Sequence, residues 1–137
     1  MKELLIRQLL GEVDTVIVQH AEAVVDNTFG ITKALEDKQI RNVIAVADDT
    51  QSVAVVDNFI KYQIGRNKEN EGWRFGEKKG QSFGEAIRAD LASLQGTARR
   101  QAKGEVRTEE LAIRLVRRYL GYLARYFKYA QVPKGGS

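Results

Sequence analysis

The chain has 137 residues, of which 43% are hydrophobic, so it is long enough for one domain with a real core and too short for two. It contains no cysteine, which excludes disulfides and thiolate zinc sites and favours a cytoplasmic location. Its apolar runs are too short for a membrane span or a secretory signal, so we expect no membrane partner.

The net charge of +4 is unevenly distributed along the chain. Residues 1 to 57 contain 5 Lys and Arg against 10 Asp and Glu, whereas residues 58 to 137 contain 17 against 8. A basic second half indicates a polyanion or an acidic protein surface as the partner. The alternative, for any single residue, is that the charge only solvates the outer face of a helix.

The beginning of the chain predicts one short helix and one longer helix. Three leucines within the first nine residues form a short amphipathic piece, and Gly11 interrupts it because glycine costs about 1 kcal/mol relative to alanine inside a helix. A second helix begins at Glu12 and has apolar residues at helical spacing as far as Val25. A strand over residues 15–18 is the minority alternative, since this stretch is rich in β-branched residues. Gly30 follows as a left-handed helix terminator.

The middle of the chain predicts two further helices and a charged loop. One helix begins at Glu36 or Asp37, and residues 48–50 end it and cap the next helix. That next helix has an apolar stripe from Val53 to Ile64 and ends at Gly65, where the chain turns away. The charged loop then runs from Arg66 to Gly80, since this segment is rich in glycine and charge and has no apolar period. Trp73 within the loop either stacks on bases or folds back onto the bundle.

The last part of the chain predicts two helices. Ser82 and Glu85 fit a capping box for the first, and Thr108 opens the second, which runs to about Ala130. The fold class is therefore all-α, a compact bundle of about five helices with the charged loop between the third and fourth main helices. We expect a single helical domain over residues 1–132 and a disordered tail over residues 133–137, whose Gly-Gly-Ser end resembles a cloning remnant.

The residues that usually support catalysis are sparse. His20 is the only histidine, so a site with two histidine ligands is excluded, and a partly buried structural role is the favoured interpretation. Asp48, Asp49 and Asp57 offer carboxylates for a magnesium-dependent nuclease, although helix capping and an ion pair with Lys61 explain them as well. We therefore expect a protein that is not an enzyme and has no cofactor or metal, with the nuclease as a minor alternative.

The last predicted helix has a basic side. Five cations gather there by helical spacing, away from the predicted core positions, and no acidic residue follows Glu110 in this helix. They are Arg114, Arg117, Arg118, Arg125 and Lys128. Like charges at these spacings repel one another, so the pattern favours an anionic partner such as an RNA backbone.

Two motifs resemble those of a known family. The first is Leu35-x-x-x-Gln39-Ile40-Arg41, and the second is Lys61-Tyr62-Gln63-Ile64-Gly65-Arg66. Together with the order of helices over residues 13–130, they resemble the small helical subunit of type III-A CRISPR effector (Csm) complexes. The resemblance implies a non-catalytic subunit that binds guide RNA and target RNA through their backbone, beside other CRISPR effector subunits.

The motifs assign that role to particular residues. The resemblance carries over to Arg41, Lys61 and Arg66, with Tyr62 near them. Charge patterning adds candidates outside the motifs. These are Lys68, Arg74, Arg117, Arg118 and Arg125. Self-stacking copies would pair the acidic first half of one subunit with a basic face of the next. The alternative is a helical adaptor that docks an acidic protein through its basic face and does not bind nucleic acid.

Overall fold

The computed structural model describes residues 1–133, and these residues contain helices and no strand, which confirms the predicted all-α class. The six α-helices are α1 (Lys2–Asp26), α2 (Ile31–Ala34), α3 (Asp37–Asp49), α4 (Val53–Arg66), α5 (Phe83–Gln101) and α6 (Thr108–Ala130). Two 3₁₀ turns, Gly72–Arg74 and Glu77–Lys79, lie between α4 and α5. Most of the predicted tail, residues 134–137, lies outside the described residues.

Helix α1 is continuous through Gly11, so the predicted short leading piece and the strand over residues 15–18 are both wrong. Leu9 and Leu10 before the glycine and Ile17 after it are all buried in the same core. Their burial outweighs the cost of one exposed helical glycine, which is about 1 kcal/mol. Gly30 has the left-handed conformation predicted for it, with φ of 90°, but it precedes α2 and does not end α1.

The turn between α3 and α4 differs from the prediction in its capping. Asp48 and Asp49 are the last residues of α3, and the residue that precedes α4 is Ser52. The backbone N–H of Ser52 donates to the Thr50 hydroxyl at 3.1 Å. Asp48 and Asp49 therefore do not cap α4 as predicted, because they belong to the last turn of α3, although α3 does end at this point.

Helix α6 lies at the centre of the bundle and packs against α1, α3, α4 and α5. Its predicted core positions Leu111, Leu115 and Tyr119 are buried, whereas Tyr122 and Tyr126 are half-buried and direct their hydroxyls to carboxylates of α1. Since α1 and α3 lie on its two sides, α6 exposes to solvent the strip of its surface between these two helices. That strip contains the predicted basic side.

The charged loop over residues 66–80 has an ordered internal structure. The backbone N–H of Trp73 donates to the Asn67 side-chain oxygen at 2.8 Å, and that of Gly76 donates to Asn70 Oδ1 at 3.0 Å. Trp73 is 1% exposed and packs against Phe83 with ring centroids 5.8 Å apart. Folding back onto the bundle is therefore the correct alternative for Trp73, and stacking on bases is wrong.

Among the described residues, no helix combines the length and hydrophobicity needed to cross a membrane.

Candidate nucleic-acid interface

The cations of α6 have partners on the neighbouring helices. Arg114 pairs with Glu3 at 3.1 Å, and Arg118 pairs with Asp14 at 2.8 Å. Lys128 pairs with a carboxylate of α3, Asp37, at 3.2 Å. The inference that these cations need an external anion is wrong for these three, because carboxylates of the acidic first half supply the missing charge. The helical spacing of α6 could not reveal charges contributed by α1 and α3.

Arg117 has a different partner, the carboxyl end of α3. Its Nε donates to the Ala47 carbonyl at 2.9 Å, and its Nη2 donates to the Thr50 carbonyl at 2.8 Å. The last carbonyls of a helix lack intrahelical donors, and a cation there also interacts favourably with the helix dipole. Arg117 therefore links α6 to α3, and this structural task explains its half-buried position.

A groove between α3 and α6 brings Arg41 and Arg125 together. This α3–α6 groove has a volume of about 450 Å³. It is lined by Asp37, Ile40, Arg41, Ala124, Arg125 and Lys128. Three cations face one carboxylate, and Asp37 already accepts hydrogen bonds from Gln131 and Lys128, which hold its pKa below the ordinary value. Arg41 and Arg125 lie exposed in the groove, and within residues 1–133 neither forms a hydrogen bond with a carboxylate.

Arg125 also borders a second shallow groove on α6. That groove is lined by Arg117, Arg118, Gly121, Tyr122 and Arg125. The guanidinium of Arg125 lies 6.0 Å from the centre of the Tyr122 ring, within the range of a cation–π contact. The structure thus brings Arg117, Arg118 and Arg125 to one surface, but only Arg125 is free of a polar partner among the described residues.

The remaining candidates lie at the end of α4 and in the loop that follows. Lys61 pairs with Asp57 at 3.5 Å, and Arg66 lies 5.8 Å from the centre of the Tyr62 ring, which is 59% exposed. Arg74 donates to Glu77 at 2.9 Å. Lys68 is exposed, and its side chain forms neither a hydrogen bond nor an ion pair in the described part of the chain. Within that part, no hydrogen bond or ion pair joins this cluster to the α3–α6 groove.

The second motif differs from its expected geometry at Gly65. We expected this glycine to end the helix, but α4 continues through it to Arg66, and its φ is not positive. The first motif has a clear local task, because the backbone N–H of Glu36 donates to the Gln39 side chain at 2.8 Å and Ile40 is buried. Helix capping and packing therefore account for part of this motif, and Arg41 is its exposed member.

The aspartates considered for a magnesium site are not assembled. Asp57 accepts two hydrogen bonds from Arg88, at 2.7 and 3.3 Å, and these bonds hold the pKa of Asp57 below its ordinary value. In residues 1–133, no group of three or more histidine or acidic side chains is positioned to hold a metal ion. The nuclease alternative therefore has no metal site in this part of the chain.

The sequence patterns do not reveal a further cavity in the structure. It has a volume of about 560 Å³, and its lining includes residues of α1, α5 and the charged loop, so we call it the α1–α5 cleft. Asp90 on α5 accepts a 2.5 Å hydrogen bond from the Tyr119 hydroxyl and lies 3.6 Å from His20 Nδ1. Burial raises the pKa of Asp90 and also that of Tyr119. His20 is half-buried as predicted, but it lines this cleft.

No protein-family model matches the chain, and no curated protein or solved structure matches it either. Two surfaces have side chains suited to binding a ligand. One is the α3–α6 groove, in which Arg41 and Arg125 are exposed, and the other is the α1–α5 cleft.

Proposed function

We propose that this chain is the non-catalytic small subunit of a type III CRISPR ribonucleoprotein. It binds the backbone of guide RNA and target RNA without sequence specificity and stacks along the complex in several copies. Its RNA surface is centred on the α3–α6 groove, with Arg41 and Arg125 as the main phosphate-binding residues. Tyr62, Arg66 and Lys68 form a second contact at the end of α4.

The observation that carries the proposal is the charge of the α3–α6 groove. Arg41 and Arg125 lie exposed there, and the single carboxylate of the groove is already bonded to Gln131 and Lys128. Two exposed guanidinium groups that form no hydrogen bond with a carboxylate among the described residues suit phosphate oxygens, which arginine binds with two parallel hydrogen bonds. Arg41 also belongs to the first motif of the resemblance, so two independent arguments select it.

The role of Arg117 and Arg118 in RNA binding is smaller in this proposal. Both are half-buried and bonded within the molecule, Arg117 to carbonyls of the α3 end and Arg118 to Asp14. An RNA phosphate near either residue would compete with these contacts. Their positive charge still adds to the field along α6 that attracts a polyanion.

The exposed side of α4 suits a contact between neighbouring subunits. Val55 is 47% exposed, Tyr62 is 59% exposed, and the rings of Phe59 and Tyr62 lie 6.4 Å apart. An apolar and aromatic strip beside Arg66 is a typical composition for the centre of a protein interface. This strip also favours the adaptor as the second candidate function, since an adaptor needs such a surface and no RNA.

The proposal is tested by fluorescence anisotropy with labelled single-stranded RNA at low salt. Two oligonucleotides of unrelated sequence should bind with affinities within about threefold, because phosphate contacts do not read bases. The double variant Arg41→Ala/Arg125→Ala should weaken both at least tenfold. Undetectable binding by the wild-type protein at low salt would reject the proposal.

The matched control is Arg99→Ala, which removes an arginine of α5 that lies beside the N-terminal end of α6. Arg99 is exposed and lies in a groove with Glu109, which is about 24 Å along the helix from Arg125 at 1.5 Å per residue. This variant should retain wild-type affinity. To distinguish the adaptor function from RNA binding, tagged protein is used to recover partners with and without RNase treatment. A protein partner that is retained after digestion favours the adaptor.

A further inference from the structure

The α1–α5 cleft combines three chemical features that one ligand can satisfy together. Its volume of about 560 Å³ lies within the range of about 300–1,000 Å³ that is usual for small-molecule sites. Its lining includes a pair of lysines, two phenylalanines and a histidine beside a carboxylate. These are Lys78, Lys79, Phe29, Phe75, His20 and Asp90.

The two lysines provide an anion site at the mouth of the cleft. Lys78 and Lys79 are both exposed, and the side chain of neither forms a hydrogen bond or ion pair among the described residues. Glu77 precedes them, but its carboxylate already accepts hydrogen bonds from the Arg74 side chain and the Asn70 backbone N–H. Two lysines that are adjacent in sequence, and whose ammonium groups bond no acid among the described residues, favour a phosphate group as the ligand.

The phenylalanines provide an aromatic surface. Phe29 is 90% exposed, so nearly all of its ring remains in water in the free protein. Phe75, in the charged loop, is partly buried against the core and also lines the cleft. A planar ligand that covers Phe29 would remove this apolar surface from water and gain stacking contacts.

Asp90 provides a hydrogen-bond acceptor in the deeper part of the cleft. Its side chain is 17% exposed, in contrast to the exposed lysines. One carboxylate oxygen is bonded to Tyr119, whereas the other lies 3.6 Å from His20 Nδ1, too far for a hydrogen bond. That second oxygen can accept a hydrogen bond from a ring N–H or amino group of a ligand.

We propose that the α1–α5 cleft binds a nucleoside monophosphate unit. The phosphate contacts Lys78 and Lys79, the base lies against Phe29, and an N–H of the base donates to Asp90. The unit is either a free nucleotide or one nucleotide of an RNA strand. This binding does not depend on the RNA contact proposed for the α3–α6 groove, because the two sites share no residue.

The test is calorimetric titration of the full chain with AMP, GMP, CMP and UMP, with the matching nucleosides and inorganic phosphate as separate probes. At least one monophosphate should bind at least tenfold more tightly than its nucleoside and than phosphate alone. The variants Lys78→Ala/Lys79→Ala and Phe29→Ala should each weaken that binding at least tenfold. Since all three side chains are exposed, these variants should keep the wild-type circular dichroism spectrum.

The control variant is Lys38→Ala/Lys103→Ala, which removes two exposed lysines outside the cleft and should bind as the wild type does. The proposal is overturned if every monophosphate binds no better than phosphate, or if the Lys78→Ala/Lys79→Ala variant binds like the control.

A labelled RNA separates the two sources of the nucleotide. Weaker RNA binding by Lys78→Ala/Lys79→Ala assigns the unit to an RNA strand, whereas unchanged RNA binding assigns a free nucleotide. If only the Arg41→Ala/Arg125→Ala variant loses RNA binding, that result bears on the α3–α6 groove and leaves the nucleotide site of the α1–α5 cleft unaffected.

Discussion

Arg118 of α6 and Asp14 of α1 form an ion pair at 2.8 Å although 104 residues separate them in the chain. The Tyr122 hydroxyl donates to the other oxygen of the same carboxylate at 3.0 Å. This pair is one of several that join the acidic first half to the basic second half. The charge asymmetry of the sequence is therefore partly neutralised inside the bundle. Fewer basic residues are open to a partner than the 17 lysines and arginines of the second half suggest.

Arg117→Ala should destabilise the protein. The variant leaves the carbonyls of Ala47 and Thr50 without their guanidinium donor, at a cost of about 1–2 kcal/mol in the free energy of unfolding. Urea denaturation followed by circular dichroism measures this change. Arg125→Ala is the matched control, since Arg125 is exposed and its loss should change stability by less than about 0.5 kcal/mol. Equal stability of the two variants would contradict the capping role of Arg117.

Asp57→Asn should reduce stability in a pH-dependent way. Hydrogen bonds from Arg88 lower the pKa of Asp57 in the folded state, so its contribution is present above the unfolded pKa and is lost as pH falls through the folded pKa. The free energy of unfolding of the wild type should exceed that of the variant by about 1 kcal/mol at pH 7. The reason is that the Asp57–Arg88 pair is only partly exposed and is bonded through two nitrogens of Arg88. The difference should shrink below pH 4. Urea denaturation from pH 7 to pH 3 measures it, and a difference independent of pH would refute this account.

Two glycine substitutions should have opposite effects. A Cβ at Gly84 would lie 2.6 Å from the Ile64 side chain and 2.9 Å from the Trp73 carbonyl oxygen, so Gly84→Ala should cost about 1–3 kcal/mol through overpacking. A Cβ at Gly11 meets nothing within 4 Å, so Gly11→Ala should stabilise α1 by up to about 1 kcal/mol. Thermal melting compares the two variants directly. A stabilising Gly84→Ala would show that α4, α5 and the loop are not packed as closely as described.

Trp73 should report a buried environment. It is the only tryptophan, and its ring is 1% exposed against Phe83, so its emission should be blue-shifted and poorly quenched by acrylamide. Because the ring is inside the bundle, saturating RNA should leave this emission nearly unchanged. Strong quenching by RNA would mean that Trp73 becomes available for base stacking. Trp73→Phe also removes a buried N–H that has no hydrogen-bond partner among residues 1–133, and it should destabilise the protein less than Trp73→Ala.

Periodicity along single helices was sufficient to predict the fold class and much of the core. The spacing of Leu111, Leu115 and Tyr119 identified the buried side of α6, since a helix brings residues three and four apart onto one face. The continuous α1 was not predictable from the cost of Gly11, because the compensating burial of Leu10 and Ile17 depends on tertiary packing.

The candidate site was less predictable, since its properties arise between helices. The spacing of Arg117 and Arg118 on α6 indicated a basic side, but their partners are carbonyls of α3 and a carboxylate of α1. The α1–α5 cleft depends likewise on His20 and Asp90, which lie far apart in the chain and meet only in the folded bundle. No local motif marks either relationship.

The salt dependence of RNA binding tests the central claim most directly. The slope of log K against log salt concentration counts the phosphate contacts, at about 0.7 for each contact with a single strand. Arg41→Ala/Arg125→Ala should therefore reduce the slope by about 1.4 and lower the affinity, whereas Arg99→Ala should match the wild type. If the slope and affinity of Arg41→Ala/Arg125→Ala equal those of the wild type, the α3–α6 groove does not bind RNA.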